Sequence, residues 1–237
     1  MRRGPAAAET CHRTRNTRRV GDDIASAEQR LQRTGEGERY LGQRAAAVPR
    51  RWRFATDIAM VSHPPTLRTN RLILRPFSIA DAPSVQQLAG ALEVYSTTLN
   101  IPHPYGDGLA EQWIASHPAQ FYGGKGATFA ITLAGADELI GAIGLAVLRQ
   151  HQRAELGYWV GVPYWNKGYC TEAAIAVIRY GFDELDLHKI TSRHMVDNHA
   201  SERVMIKAGM RKEGEMVDEI YKDGVFRTLG VYGLVRP

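Results

Sequence analysis

From about residue 70 onward, the spacing of apolar residues alternates between the period of a strand and the period of a helix. Residues 71–76 alternate charged and apolar side chains like a first strand, and a helical pattern follows Asp81 through Val85 and Leu88. The strand-like stretches are residues 71–76, 128–133, 139–148, 155–160, 189–196, 211–221 and 225–235. The helical stretches are residues 81–89, 109–121, 171–187 and 200–208. This order predicts a mixed α/β (α+β) domain with about six to seven strands and about four helices.

The first 60 residues differ from the rest in composition. They carry 13 arginines and no lysine against seven acidic residues, and their apolar residues are too scattered for a sustained helix or strand. We therefore predict a disordered Arg-rich extension, residues 1–60, and one domain, residues 61–237. Met60 offers an alternative start, in which residues 1–59 are not translated. An Arg-rich tether to RNA is a weaker alternative, and we predict no nucleic-acid partner for the domain.

Cysteine content and hydropathy exclude several classes of protein. The two cysteines, Cys11 and Cys170, cannot form a disulfide framework and match no metal-binding spacing. We therefore predict no metal site and a reducing, cytoplasmic location. No apolar stretch approaches the roughly 18 residues needed to span a bilayer, so we predict no membrane partner.

The segment from Gly157 to Ala173 ends a strand, turns through glycine and begins a helix. Such a turn binds anions, because backbone amides at a helix N-terminus lack intrahelical partners and the helix dipole is positive there. Gly168 allows close approach of the backbone, Lys167 adds charge, and Thr171 can cap the helix or bind a phosphate oxygen. The spacing is neither that of a Walker loop nor that of a dinucleotide fingerprint. A pyrophosphate is the predicted ligand.

Several motifs in this order resemble the GNAT superfamily of N-acetyltransferases, in particular the ribosomal-protein alanine N-acetyltransferase branch. They are Gly157-Tyr-Trp-Val160, Trp165-Asn-Lys-Gly-Tyr-Cys170, Glu172-Ala-Ala, Val196-Asp-Asn-His-Ala-Ser201, Lys207-Ala-Gly-Met-Arg-Lys-Glu-Gly214, Leu67-Arg-Thr-Asn-Arg-Leu72 and Ile101-Pro-His-Pro-Tyr105. The resemblance covers essentially the whole domain and implies the GNAT fold, with a twisted mixed sheet. This chain departs from the family at Trp165, where Gln or Arg is usual, and at Cys170, where Gly or Ala is usual.

The resemblance also implies a binding site for acetyl-CoA, the co-substrate. Its pantetheine arm would lie between strands 155–160 and 189–196, where these splay apart. The implied cofactor-binding residues are Trp159, Val160, Lys167, Gly168, Tyr169, Cys170, Thr171, Asn198 and Ser201. A strand irregularity near Val160 and Gly161 would aim an N–H at the thioester carbonyl.

Two residues are predicted to act as general acid and general base. Ser201 is the general acid implied by the resemblance, protonating the departing thiolate, and Glu155 is the first candidate for the base that deprotonates the amine. Glu219 is a weaker candidate, and a water chain or bulk solvent remains open. Alternatively, Glu155 pairs with Arg153 or Arg193, and Asn198 and Ser201 only cap a helix.

The predicted function is transfer of an acetyl group from acetyl-CoA to a primary amine by direct attack in a ternary complex. The acceptor is a protein N-terminus or a small-molecule amine, whose pocket Tyr105, His103 and Trp113 could shape. A covalent intermediate on Cys170 is disfavoured because no histidine lies at a partner position. The alternative is an acyl-CoA-binding sensor without turnover. An edge strand near the C-terminal hairpin makes a homodimer possible.

Overall fold

The computed structural model describes residues 63–237. The predicted Arg-rich extension, residues 1–60, lies outside the described residues. The strands are β1 (Leu67–Arg68), β2 (Leu72–Arg75), β3 (Gly126–Leu133), β4 (Leu139–Leu148), β5 (Arg153–Val160), β6 (Lys189–Met195), β7 (Arg211–Lys222) and β8 (Val225–Val235). The helices are α1 (Ala82–Ala89), α2 (Leu92–Thr97), α3 (Leu109–Tyr122), α4 (Tyr169–Asp183) and α5 (His199–Lys207).

All eight strands form one sheet in the order β1-β2-β3-β4-β5-β6-β8-β7. Only β5 and β6 pair in parallel, and α4 connects them; every other pair within the described sheet is antiparallel. A parallel pair needs such a crossover connection, whereas β7 and β8 are joined by a tight hairpin. The predicted mixed fold is confirmed.

Helices cover both faces of the sheet. The larger core lies under α4 and α5 and contains Phe129 and Ile131 of β3, which are fully buried. The smaller core lies under α1 and α3 and contains Ala130, the intervening residue of β3. Successive residues of a strand point to opposite faces, so the same strand supplies both cores. No helix within residues 63–237 is both long and apolar enough to cross a bilayer.

The structure adds one strand and one α-helix to those predicted and ends a predicted helix early. Strand β1 has two residues and α2 has six, which is too short for either to show a period in the sequence. Helix α4 ends at Asp183, although apolar spacing predicted a helix to residue 187. Asp186 has a φ of 51° and turns the chain, so that Leu187 enters the core from outside the helix.

Candidate active site

Strands β5 and β6 start side by side and then separate. Their backbone pairing ends at Glu155 and Thr191, although both strands continue beyond this point. Where they separate, the Ser192 hydroxyl donates a hydrogen bond to the Leu156 carbonyl at 2.8 Å. A side chain thus replaces the next backbone hydrogen bond of the ladder. The result is a fork whose open edge runs along β5 from Leu156 to Val160.

Backbone groups of every second residue face the gap of this fork. The Leu156 carbonyl faces it, and so does the Val160 carbonyl, which accepts a hydrogen bond from Trp165 Nε1 at 2.6 Å. Tyr158 lies midway between them, so its N–H and C=O face the same gap. An extended ligand in the fork would meet the backbone of Tyr158 and Val160.

Trp159 faces the other way, and β5 lacks the predicted irregularity. The Trp159 carbonyl points toward β4, where a Cβ on Gly141 would come within 2.3 Å of it. Strands β4 and β5 keep one register up to Gly141 and Val160, and the Gly161 N–H extends the pairing with a hydrogen bond to Ile140. The shift of register lies between β3 and β4 instead. The N–H of Val160, not that of Gly161, therefore faces the gap.

The loop before α4 presents free amides. Gly168 is the N-cap of α4 and has a φ of 78°, a conformation that favours glycine. The Glu172 N–H donates the first intrahelical hydrogen bond, to the Gly168 carbonyl at 3.1 Å. The N–H groups of Tyr169, Cys170 and Thr171 therefore have no intrahelical acceptor. Thr171 is the third residue of the helix, so the predicted capping role falls to Gly168.

The side chains of the loop before α4 differ in their exposure. Lys167 is exposed, whereas Tyr169 and Cys170 pack against the larger core. Burial raises the pKa of the Cys170 thiol to about 12. The thiol therefore stays protonated at neutral pH, which argues against a covalent intermediate.

Two residues at this loop were not predicted from the sequence. Thr69 and Arg71, in the turn between β1 and β2, both hydrogen-bond to Glu172 in the first turn of α4. Their segment was noticed only as part of a family motif, because no local pattern places it beside a helix 100 residues away.

Ser201 lies beside the gap, at the start of α5. Its Oγ is 2.8 Å from the hydroxyl of Tyr158, whose phenol is half-buried and reaches across from β5. The Ser201 carbonyl, at 3.2 Å, is a second acceptor for the same Tyr158 hydroxyl hydrogen. Burial raises the pKa of Tyr158 well above its usual value, so the phenol stays protonated and can donate a hydrogen bond.

Asn198 is the N-cap of α5. Its side-chain oxygen accepts a hydrogen bond from the Ser201 N–H at 3.1 Å, and its Nδ2 donates to the Thr97 carbonyl of α2 at 3.1 Å. The structure therefore shows the capping interaction, and the predicted contact of Asn198 with pantetheine stays a prediction. The Asn198 side chain therefore joins the N-terminus of α5, which carries Ser201, to α2.

Glu155 is paired with Arg193. The Arg193 Nε and Nη2 donate to the two Glu155 carboxylate oxygens at 2.9 and 3.1 Å. This is the ion pair anticipated as the alternative interpretation, and the role of Glu155 as a base stays a prediction. Glu155 and Tyr158 point to opposite faces of β5, so the structure does not bring Glu155 together with Ser201.

A cavity of about 540 Å³ opens on the Glu155 side of the sheet. Its wall includes Tyr95 of α2, Ile101 of the following loop, Arg193 of β6 and the residues Ile220 to Asp223 of the β7–β8 hairpin. Four separate parts of the chain therefore meet there. Glu219, the weaker candidate base, is exposed on β7 and does not line this cavity.

Lys222 fixes one side of the cavity. Its side chain is buried, and its Nζ donates to the carbonyls of Tyr95 and Thr98 at 3.0 and 2.9 Å. The ammonium also lies 3.7 Å from the centroid of the Tyr95 ring. Burial lowers the pKa of Lys222. A cation at the C-terminus of α2 adds a donor to carbonyls at the negative end of the helix dipole.

The residues predicted to shape an amine pocket do not themselves line this cavity. Tyr105 and Trp113 pack against the smaller core, and His103 is exposed, with its ring 5.2 Å from that of Tyr95 in the cavity wall. The loop contributes Leu99 to Ile101 to the cavity instead. No sequence pattern indicates that α2 and the hairpin meet, since the contacting residues Tyr95 and Lys222 lie 127 residues apart along the chain.

The fork and the loop before α4 fit a coenzyme A molecule. Its pyrophosphate would meet the free amides of α4, where Gly168 leaves the backbone open, and its extended arm would meet the exposed edge of β5.

Within residues 63–237, no three side chains of His, Cys, Asp or Glu lie close enough together to hold a metal ion.

Comparison with known proteins agrees with this geometry. The family model of the acetyltransferase (GNAT) domain matches residues 71–211. The chain is 33% identical over 174 residues to the uncharacterized N-acetyltransferase YoaA of Bacillus subtilis, which covers 73% of this chain and 98% of the relative.

Two solved structures share the fold. A GNAT-family acetyltransferase from Bacillus anthracis has a TM-score of 0.65 and 26% identity, covering 72% of this chain and 98% of its own. RimL, a ribosomal L7/L12 α-N-protein acetyltransferase solved with coenzyme A, has a TM-score of 0.67 and 17% identity, covering 72% of this chain and 98% of its own. The chain belongs to the GNAT family of N-acetyltransferases.

Proposed function

We propose that this protein transfers an acetyl group from acetyl-CoA to a primary amine by direct attack in a ternary complex. The main support for this proposal is the fork between β5 and β6. Its open edge leads from the free amides of α4 toward Ser201. The neutral amine attacks the thioester carbonyl, the carbon–sulfur bond breaks, the thiolate takes up a proton, and the new amide nitrogen releases one proton to solvent water. Binding of the diphosphate to the α4 amides and of the pantetheine arm to Tyr158 and Val160 would orient the thioester for this attack.

The Val160 N–H is the candidate donor to the oxyanion. It faces the gap, whereas the Gly161 N–H is already bonded to β4. A backbone donor in this place is pre-organised, and loss of one such donor costs about 3 to 4 kcal/mol of transition-state stabilisation in comparable sites.

Ser201 is the candidate donor of a proton to the thiolate. The Tyr158 hydroxyl has one hydrogen, and of its two acceptors Ser201 Oγ at 2.8 Å is nearer than the Ser201 carbonyl at 3.2 Å. When this hydrogen goes to Ser201 Oγ, the hydrogen of Ser201 is free to point into the gap. We propose that Tyr158 is a positioning residue that selects this orientation. Ser201 regains a proton from solvent after each turnover.

The amine has to lose a proton before it attacks. Both oxygens of Glu155 are occupied by Arg193, so we propose that water in the cavity takes this proton and that Glu155 holds Arg193 in the cavity wall. If water is the base, we expect Glu155→Gln to keep the fall in rate at acidic pH that the wild-type protein shows. Loss of that fall would assign the role of base to Glu155.

We propose that the cavity binds the acceptor amine. The charges of its wall favour some classes of acceptor over others. Its wall contains two cations, Arg193 and Lys222, and one acid, Asp223. A polyamine needs several acids to pair its ammonium groups, whereas an acceptor with one amine does not. We therefore favour a protein N-terminus or another single amine over a polyamine. Cytoplasmic location stays a prediction from the cysteine content.

The test is thiol release from acetyl-CoA by the full chain with a panel of N-terminal peptides, amino acids and spermidine. We expect release with a single-amine acceptor and little with spermidine. Release with spermidine alone would contradict the proposed acceptor class. Calorimetric binding of CoA without release for any acceptor would contradict transfer and favour an acyl-CoA sensor.

A further inference from the structure

Glu172 is an acid placed where an anion is expected to bind. It lies in the first turn of α4, and its carboxylate accepts hydrogen bonds from Thr69 Oγ1 at 2.7 Å, from the Arg71 N–H at 2.9 Å and from Arg71 Nε at 2.7 Å. Burial raises the pKa of Glu172, but these hydrogen bonds outweigh it and the net pKa is lowered. The carboxylate is therefore charged and would repel a diphosphate if Arg71 did not neutralise it.

The other side of the Arg71 guanidinium contacts the loop. Its Nη1 donates to the Lys167 carbonyl at 2.9 Å, and its Cζ lies 4.8 Å from the centroid of the Tyr169 ring. A Cβ added to Gly168 would come within 3.4 Å of Nη2. The guanidinium thus spans the loop from Lys167 to Glu172.

The contact with Lys167 fixes the direction of an amide. In a trans peptide, the carbonyl of one residue and the N–H of the next point in opposite directions. By holding the Lys167 carbonyl, Arg71 turns the Gly168 N–H away from itself. That N–H then joins the free amides of Tyr169 and Cys170 at the N-terminus of α4.

We infer that Arg71 is a positioning residue for the diphosphate of coenzyme A, acting through the Lys167 carbonyl and the Glu172 carboxylate. This inference rests on the proposed function. It assigns to Arg71 two separable effects: orientation of the loop amides, and neutralisation of Glu172. Both effects concern the nucleotide end of the coenzyme and neither reaches the thioester.

The experiment compares two ligands that differ in the diphosphate. CoA affinity is measured by calorimetry, and the KM values of acetyl-CoA and acetyl-pantetheine are measured for the full chain and its variants. Arg71→Ala should weaken CoA binding about thirtyfold, because it removes the hydrogen bonds of the guanidinium and leaves the Glu172 carboxylate without a counter-charge. The KM for acetyl-pantetheine, which lacks the diphosphate, should change by less than about twofold.

Further variants separate the two effects. Arg71→Lys keeps the charge but loses the planar fork of donors, so we expect an intermediate loss of about fivefold in CoA affinity. Adding Glu172→Gln to Arg71→Ala removes the unpaired carboxylate and should restore part of the affinity. Arg68→Ala is the matched control, because Arg68 is exposed at the preceding strand, and it should leave CoA affinity within about twofold.

Three results would overturn the inference. They are unchanged CoA affinity in Arg71→Ala, equal losses for acetyl-CoA and acetyl-pantetheine, and failure of the wild-type chain to bind CoA. The last result would also remove the proposed function. If the wild-type chain binds CoA but acetylates no acceptor, transfer is wrong, while a loss of CoA affinity in Arg71→Ala still supports the role of Arg71. Should Arg71→Ala not fold, Arg71→Lys and the double variant carry the test.

Discussion

The two faces of the sheet beside the fork are built in different ways. On the side of α4 and α5, one continuous stretch from β5 through the Gly168 loop into α4 supplies most of the proposed coenzyme site. On the other side, the cavity is assembled from α2, the loop after it, β6 and the β7–β8 hairpin. The coenzyme side depends on local backbone conformation, whereas the acceptor side depends on contacts between distant parts of the chain. Changes to the first should therefore alter coenzyme binding, and changes to the second should alter acceptor use.

The largest effect is expected at Gly168. Gly168→Asp places a side chain at a φ of 78° and a carboxylate beside Arg71 and the bound diphosphate. Backbone strain and charge repulsion together should weaken CoA binding about a thousandfold in calorimetry. Gly135→Asp is the matched control, because Gly135 has a φ of 92° in a turn with open space around it. Equal losses of CoA affinity in both variants would contradict a specific role for the Gly168 loop.

Ser201 and Tyr158 test the chemistry on the same side of the sheet. Ser201→Ala should lower kcat about a hundredfold, with CoA affinity nearly unchanged, because general acid catalysis contributes about this much. Tyr158→Phe should lower kcat about tenfold by releasing the Ser201 hydroxyl, and the double variant should resemble Ser201→Ala alone. Ser116→Ala, on α3, is the control. Strictly additive losses in steady-state kinetics would show that Tyr158 does not act through Ser201.

Lys222 tests the acceptor side. Lys222→Met removes the donor to the carbonyls of Tyr95 and Thr98, so the hairpin and α2 no longer hold the cavity in one shape. We expect the KM for the acceptor to rise about tenfold while the Kd for CoA stays unchanged. Lys212→Met, an exposed lysine on the same strand, should change neither quantity. A parallel loss of CoA affinity would show that the two sides are not separate.

The smallest effect concerns the helices that support the acceptor side. His117 of α3 is buried, its ring lies 4.4 Å from that of Trp113, and burial lowers its pKa from 6.5 to about 4. The unfolded chain therefore binds the proton first as the pH falls. Stability is fully present above pH 6.5 and is lost between pH 6.5 and about 4.

Urea unfolding measures this loss. From pH 7.5 to 5.5, His117 should lower the free energy of unfolding by about 1 kcal/mol, and His117→Phe should remove that share of the pH dependence. The exposed His151 provides the control, since His151→Phe should leave the dependence as it is. An unchanged slope in His117→Phe would mean that the imidazole is not held neutral by burial.

The same contrast explains which features the sequence predicts. The Gly168 loop and the start of α4 could be recognised because glycine, charge and helical period occur within a few residues of one another. The fork could be predicted from the family resemblance, but its closing bond from Ser192 to Leu156 could not, since it joins two strands through a side chain. Arg71 was missed because its partner Glu172 is 101 residues away.

The acceptor side offered no comparable local signal. Helix α2 is too short to show a period, and Lys222 looks like an ordinary turn residue until the fold buries it. Glu155 was predicted as a base or, alternatively, as the ion-pair partner of Arg153 or Arg193. The structure has the pair with Arg193, and the choice between the two arginines depends on the parallel pairing of β5 and β6, which the sequence does not display.

The most direct test of the account is to follow the acetyl group itself. The full chain is incubated with acetyl-CoA and a single-amine peptide, and the masses of both protein and peptide are measured. We expect the peptide to gain one acetyl group at its amine while the protein gains none, and we expect Gly168→Asp to abolish the transfer. An acetylated protein without acetylated acceptor, or bound CoA with no acetyl transferred to any amine, would contradict it.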